Sequence, residues 1–257
     1  MQLSQTHIDR FVADGAATID GVLDAAALAQ ANAALDRLYS GPQTDGIIQY
    51  PDEPGFYDLY QDPRLEQIAK HVLGSQAVIL NSVATLYKRP QPGTEFTYEH
   101  EHMDVQFSLA DWRARPRRVL CTLLVIIADL PVGRGNTYVR LGSHMQLAEH
   151  LDRIGGAPVI DRPMNIGDLP ALPWAEPTPI VATAGQVLAF STNLIHTGTP
   201  NLDSEDRRVL FVNFCDRGHM ATASPNAAQR DRRTAWRDRL RAAFRPDRRH
   251  LLDGRED

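Results

Sequence analysis

His102-Met103-Asp104 places an imidazole and a carboxylate two residues apart, and His196 offers a second imidazole far downstream. On a strand, residues i and i+2 share a face, so His102 and Asp104 can present both donors to one metal ion. Two histidines and one carboxylate leave half of a metal's coordination sphere open. That donor set suits a non-heme Fe(II) oxygenase, in which a cosubstrate and O2 must both reach the iron. Arg207 opens an apolar run beyond His196. From there a guanidinium can enter the same opening and grip a carboxylate bidentately.

Other residues near this set carry weaker signals. His100 shares strand parity with His102 and Asp104, which makes it a candidate substrate contact. His100-Glu101-His102 also reads as the paired histidines of a cupin, but Gln106 and Ser108 stand where the cupin glutamate is expected. Tyr98, Phe107 and Trp112 are candidates for an apolar substrate pocket, with core packing as the plainer reading of each. Arg113, Arg115, Arg117 and Arg118 read as a solvated basic loop. Cys121 begins the most apolar run of the chain and reads as a buried, inert thiol.

The elements that must position these groups follow from periodicity. Helices are expected over 4–13, 25–39 and 63–73, the second capped by Asp24 and the third stopped by Gly74. Residues 40–62 are rich in Gly, Pro, Asp and Tyr and read as a long loop. Short strands are expected at 17–20, 77–80, 84–88, 96–107, 119–128, 137–140, 179–182, 186–190 and 209–214. A helix is expected near 146–153. Residues 155–178 hold five prolines and read as an irregular excursion that could serve as a lid. The arginine-dense tail, with Trp236, Leu240 and Phe244 at helical spacing, reads as an amphipathic helix. Helices first, then many short strands, predict an α+β fold with a jelly-roll core.

Whole-chain properties bound the partners. A length of 257 residues with 43% hydrophobic residues supports one sizeable core. A net charge of -5 supplies no global field for nucleic acid or anionic lipid. Two cysteines imply no disulfide framework, and no apolar run is long enough to span a bilayer. A cytoplasmic protein acting on a small molecule is expected, with no nucleic acid and no membrane; a homodimer is left open.

Several segments together resemble the phytanoyl-CoA dioxygenase family of Fe(II)/2-oxoglutarate-dependent oxygenases. They are Phe11-Val-Ala-Asp-Gly15, Gly21-Val-Leu-Asp24 and Tyr87-Lys-Arg-Pro-Gln-Pro-Gly93. Gly142-Ser-His144 follows, with Leu141 where the family usually has proline. The most specific stretch is Ala184-Gly-Gln-Val-Leu-Ala-Phe190 leading to His196-Thr-Gly-Thr-Pro-Asn201 and Arg207-Arg208. The resemblance runs from the first helices to about Asp216.

It implies a double-stranded β-helix (jelly-roll, cupin-like) core buttressed by N-terminal helices. One domain would span 1–257: a mainly helical part over 1–75, the jelly roll over 76–216 and a helical tail over 217–257. It implies iron ligation by His102, Asp104 and His196, with 2-oxoglutarate and O2 as the other cofactors. Arg207, favoured over Arg208 on spacing, would bind the distal carboxylate of 2-oxoglutarate. Lys88 stands where the family often has a lysine near the cosubstrate, with Tyr87 or Arg89 as substitutes. The reaction implied is hydroxylation of an unactivated C–H bond with release of succinate and CO2. Desaturation, epoxidation and rearrangement use the same chemistry. Asp104 argues against halogenation, because related halogenases replace the carboxylate to admit halide. The rival reading is a non-catalytic or cupin-type metal-binding jelly roll, in which Arg207 would have no purpose.

Overall fold

The computed structural model describes residues 3–41, 44–218 and 227–253. The chain begins with α1 (Gln5–Asp14), β1 (Ala16–Ile19), α2 (Ala25–Leu38), β2 (Gly46–Gln49), α3 (Tyr57–Tyr60) and α4 (Pro63–Leu73). Then come β3 (Val78–Lys88), β4 (His102–Met103), α5 (Leu109–Arg113), β5 (Cys121–Ile126), β6 (Tyr138–Val139) and α6 (Ser143–Ile154). The chain continues through β7 (Met164–Asn165), β8 (Thr178–Pro179), β9 (Val187–Ser191), β10 (His196–Thr197), β11 (Arg207–Asp216) and α7 (Ala227–Ala243).

Local chemistry sets the helix ends. Asp24 caps α2 by accepting from the Ala27 amide at 2.9 Å, and Asp62 caps α4 from the Arg64 amide at 2.7 Å. Gly74, at φ +64°, closes α4 in the left-handed region.

The strands form two antiparallel sheets. The major sheet has the order β1-β9-β5-β11-β3-β2, and the minor sheet β7-β4-β10-β6-β8. Strand alternation divides the major sheet's side chains. Leu80, Val83, Leu123, Val125, Leu210 and Val212 join the helices in the main core. Leu86, Leu124, Ile126, Leu188 and Val209 face the other way, toward Val139, Ile180 and Leu194 of the minor-sheet side. This is the two-sheet jelly-roll architecture, with helices on the outer face of the major sheet.

Several sequence expectations change. Residues 77–88 make one continuous strand, not two. The loop over 40–62 contains β2, which extends the major sheet next to β3. Regular strand within 96–107 shrinks to His102–Met103. The excursion over 155–178 is not over the cavity described below. It supplies β7, which pairs behind β4, and Leu169, Met164, Ile166 and Trp174 cover Met103 and Ile195. Arg117 is buried rather than solvated: it donates to the Val72 carbonyl at 2.7 Å, and burial pushes its pKa down to about 10. The tail follows expectation: Trp236 and Leu240 of α7, and Phe244 just beyond it, turn an apolar face into the main core.

Candidate metal centre and adjoining cavity

β4 and β10 are neighbours, with His102 directly opposite His196. Asp104 lies one residue beyond β4, and its amide donates to the Thr192 carbonyl at 3.1 Å. His102, Asp104 and His196 therefore converge, with one ligand atom from each within 4.8 Å of the others. Among the described residues this is the one such group of His, Cys, Asp or Glu. Met103, between the two β4-side ligands, points the other way and is fully buried with Ile195 and Leu147. Alternation thus puts the donors on the inner face and an apolar anchor on the outer one.

The imidazoles are oriented for ligation. His102 Nδ1 lies 2.7 Å from the His100 carbonyl, and His196 Nδ1 lies 2.9 Å from the Leu194 carbonyl. A carbonyl can only accept, so both Nδ1 atoms carry the proton and both Nε2 lone pairs are free. The Nε2 atoms lie 3.3 and 3.8 Å from the Asp104 carboxylate oxygens. When protonated, His102 can donate from Nε2 to Asp104, which raises its pKa, and burial lowers that of His196. Burial opposes ionisation of Asp104, but the two imidazoles outweigh it and hold the carboxyl below its ordinary value. Its side chain keeps 46% exposure, and that surface faces the cavity it lines. Two neutral imidazoles and one carboxylate, with open space beside them, fit a divalent transition metal such as iron.

That space is a cavity of about 610 Å³ between the sheets. Its major-sheet wall is banded. Lys88 and Arg207 form a cationic end, directly paired in register. Leu86, Ala84, Phe211 and Ile47 make an apolar middle, and Thr122, Asn213 and Gln49 a neutral polar end. Phe190 reaches the metal group, its ring 5.9 Å from that of His196.

Arg207 is fully buried. It donates to the Gly135 carbonyl and, at 2.8 Å, to Thr137 Oγ1, while its Nε has no partner. No carboxylate among the described residues lies within ion-pair distance of it. Burial pushes its pKa down to about 10, still charged at neutral pH. Arg208 faces the opposite side and pairs with Asp36 and Asp206.

The remaining predicted residues divide. Lys88 lines the cavity, its Nζ donating to Glu99 and to the Thr199 carbonyl at 2.9 Å. His100 also lines it, its amide donating to Thr197 Oγ1 at 3.2 Å. Tyr87 does not: as the neighbour of Lys88 it faces the helices, stacks on Tyr39 at 4.8 Å and donates to Asp206. Arg89 turns to the Thr44 carbonyl. Phe107 and Trp112 are core residues, with Trp112 packed on Phe11 and His144. Tyr98 joins Phe96 and Tyr138 in an edge-to-face trio and is not among the cavity-lining residues. Sequence reasoning missed Glu99, the β2 residues Ile47 and Gln49, and the polar end Thr122 and Asn213. Only Asn213 had a signal: it shares strand parity with Arg207, and Thr122 is its partner in register.

The family model for phytanoyl-CoA dioxygenase matches residues 11–209. No curated protein matches the chain. Among solved structures, the chain is similar to the non-heme alpha-ketoglutarate-dependent carbocyclase SnoK from nogalamycin biosynthesis. That likeness has a TM-score of 0.66 and 18% identity, covering 89% of this chain and 91% of that one. It is similar to HygX from Streptomyces hygroscopicus with nickel and 2-oxoglutarate bound, with a TM-score of 0.60 and 20% identity, covering 84% and 88%. It is also similar to EctD from S. alaskensis with 2-oxoglutarate and 5-hydroxyectoine, with a TM-score of 0.59 and 18% identity, covering 84% and 77%. At these identities the likenesses establish the fold.

Proposed function

The chain belongs to the phytanoyl-CoA dioxygenase family, and from that premise we propose that it is an Fe(II)/2-oxoglutarate-dependent dioxygenase hydroxylating a small organic molecule. One observation carries the assignment of residues. A two-histidine, one-carboxylate group with free Nε2 atoms opens on a cavity whose cationic end holds a buried arginine without a carboxylate partner among the described residues. In this reading His102, Asp104 and His196 hold the iron. With 2-oxoglutarate and O2, iron supplies an oxidant for an unactivated C–H bond, releasing succinate and CO2.

The chain's own residues do the rest. Arg207 receives the distal carboxylate of 2-oxoglutarate, and its free Nε–H and fixed fork favour a planar anion. Gly135 and Thr137 hold that fork in place. Lys88 adds a second cation on the neighbouring strand. Phe190 and Phe211 give the site apolar walls that limit water beside the metal.

The substrate end supports a neutral compound. Leu86, Phe211, Thr122, Asn213 and Gln49 offer apolar contact and uncharged hydrogen-bonding groups. A coenzyme A thioester brings phosphates that call for several cations, and the lining's two lie at the cosubstrate end. SnoK belongs to nogalamycin biosynthesis, and HygX has also been solved with hygromycin B bound. Both favour a natural-product intermediate. No helix among the described residues is long and apolar enough to cross a membrane.

The test is anaerobic addition of Fe(II) and 2-oxoglutarate. A weak visible charge-transfer band is expected, absent in His196→Ala. Bound iron without a band in the wild-type protein sinks the cosubstrate assignment. Product analysis with a turned-over substrate then separates hydroxylation from desaturation, epoxidation and rearrangement.

A further inference from the structure

Glu99 is the one acidic residue lining the cavity outside the metal group. It lies on the loop from β3 to β4, which crosses the cationic end. The loop is pinned on both sides. The Gln91 amide donates to the Asn201 carbonyl at 2.7 Å, and the Glu99 amide to the Gly198 carbonyl at 3.0 Å. Phe96 and Tyr98 pack against Tyr138 at 5.7 and 5.3 Å. The carboxylate meets Lys88 Nζ, and its field is the one that favours the charged form of Arg207. The end thus holds two cations and one internal anion.

We propose that Glu99 is a resident counter-anion and a determinant of cosubstrate affinity: it balances Lys88 and Arg207 in the empty site and yields to the incoming carboxylate. The proposal rests on reading Lys88 and Arg207 as the cosubstrate end. Three observations carry it. First, a buried guanidinium with only neutral partners is costly, and a nearby anion lowers that cost. Second, the pair is lopsided: the Glu99 side chain is 42% exposed and that of Lys88 is 11%. Glu99 can swing to water while Lys88 stays. Third, the arrangement depends on Gly198. A Cβ there would stand 2.6 Å from Glu99 Oε2, so any larger residue drives the carboxylate off its seat. A fixed Glu99 would instead repel the anion that Arg207 is set to receive.

The experiment is calorimetric titration of the full-length, Mn(II)-loaded protein with 2-oxoglutarate, without O2. Glu99→Gln is expected to bind about tenfold tighter than wild type, or about 1.4 kcal/mol. Its affinity should also fall more steeply with added salt, because the net positive charge of the end rises. Gly198→Ala should move the same way by a smaller factor, with the carboxylate still present in the chain. Unchanged or weaker binding in folded Glu99→Gln overturns the proposal and makes Glu99 a fixed positioner of Lys88. Failure of the underlying reading looks different: wild type and Arg207→Met would then bind 2-oxoglutarate equally, or neither would bind it.

Discussion

The two sheets serve the same cavity by different means. The cationic end sits on the major sheet, where β3 spans 11 residues and β11 spans 10. Lys88 and Arg207 close a long run of registered partners, so backbone hydrogen bonds fix both positions. The candidate metal group sits at the minor sheet, with His102 and His196 on strands of two residues and Asp104 one residue beyond β4. There the ligands are aimed by tethers: Nδ1 atoms on local carbonyls and the Asp104 amide on Thr192. On the proposed assignment the anion end is preformed, while the metal end would be completed by its metal. One sheet supplies rigidity and the other supplies ligands that can close on an ion.

The largest test of that contrast removes a ligand. His196→Ala or Asp104→Ala should reduce succinate formation to background and abolish tight Fe(II) binding. Amide exchange in β3 and β11 should stay as slow as in the wild type. In the intact protein, adding Zn(II) should slow exchange at 102–104 and 192–197 and leave β11 unchanged. Slowing spread evenly over both sheets would break the comparison.

The next effect belongs to Arg207. Arg207→Met should raise the KM for 2-oxoglutarate by about a hundredfold, since it removes one partner of a desolvated charge pair. Fe(II) affinity should not change, because the two ends are built on different sheets. Stability without cosubstrate should hold or rise by about 1 kcal/mol, as a buried charge with neutral partners gives way to an apolar chain. A marked loss of thermal stability would mean that the guanidinium is structural.

Strand parity made much of the site legible. It set His102 and Asp104 on one face with Met103 behind them, and it allowed only one of Arg207 and Arg208 to enter. The same rule excludes Tyr87 once Lys88 faces the cavity. Phe107 and Trp112 could not be separated from cavity walls by type, since an aromatic ring satisfies either environment. Glu99 was hidden for another reason. Its place is set by a loop laid across β10 and by the missing side chain of Gly198, neither of which leaves a periodic signal. Strand β2 was masked by its Gly-, Pro- and Asp-rich surroundings. The covering role of 155–178 depends on pairing with β4, which composition does not encode.

The smallest effect is a pH dependence that should also divide the sheets. His144, in the first turn of α6, is buried against Trp112, with Nε2 donating to the Val12 carbonyl at 3.1 Å. Burial holds its pKa down to about 4. In the unfolded chain it protonates near 6.5, so its contribution is complete above that pH. It is lost as pH falls from about 6.5 to 4, by about 3 kcal/mol in all. The neighbouring Ser143 Oγ accepts from the Ile195 amide, beside His196, so the loss falls on the support of the minor sheet. His102 works in the opposite sense: with its pKa raised by Asp104, acid strengthens that pair. Glu66, paired with Arg248 and Lys70 and held at about 2, contributes above 4.5 and is lost only below that. Between pH 6.5 and 5, amide exchange at 195–197 should therefore quicken while β3 and β11 stay protected. His144→Gln should flatten the stability profile in that window and leave the fall below pH 4.5 intact. A profile equally steep in both proteins would remove His144 as the cause and leave the minor sheet without its acid-sensitive support.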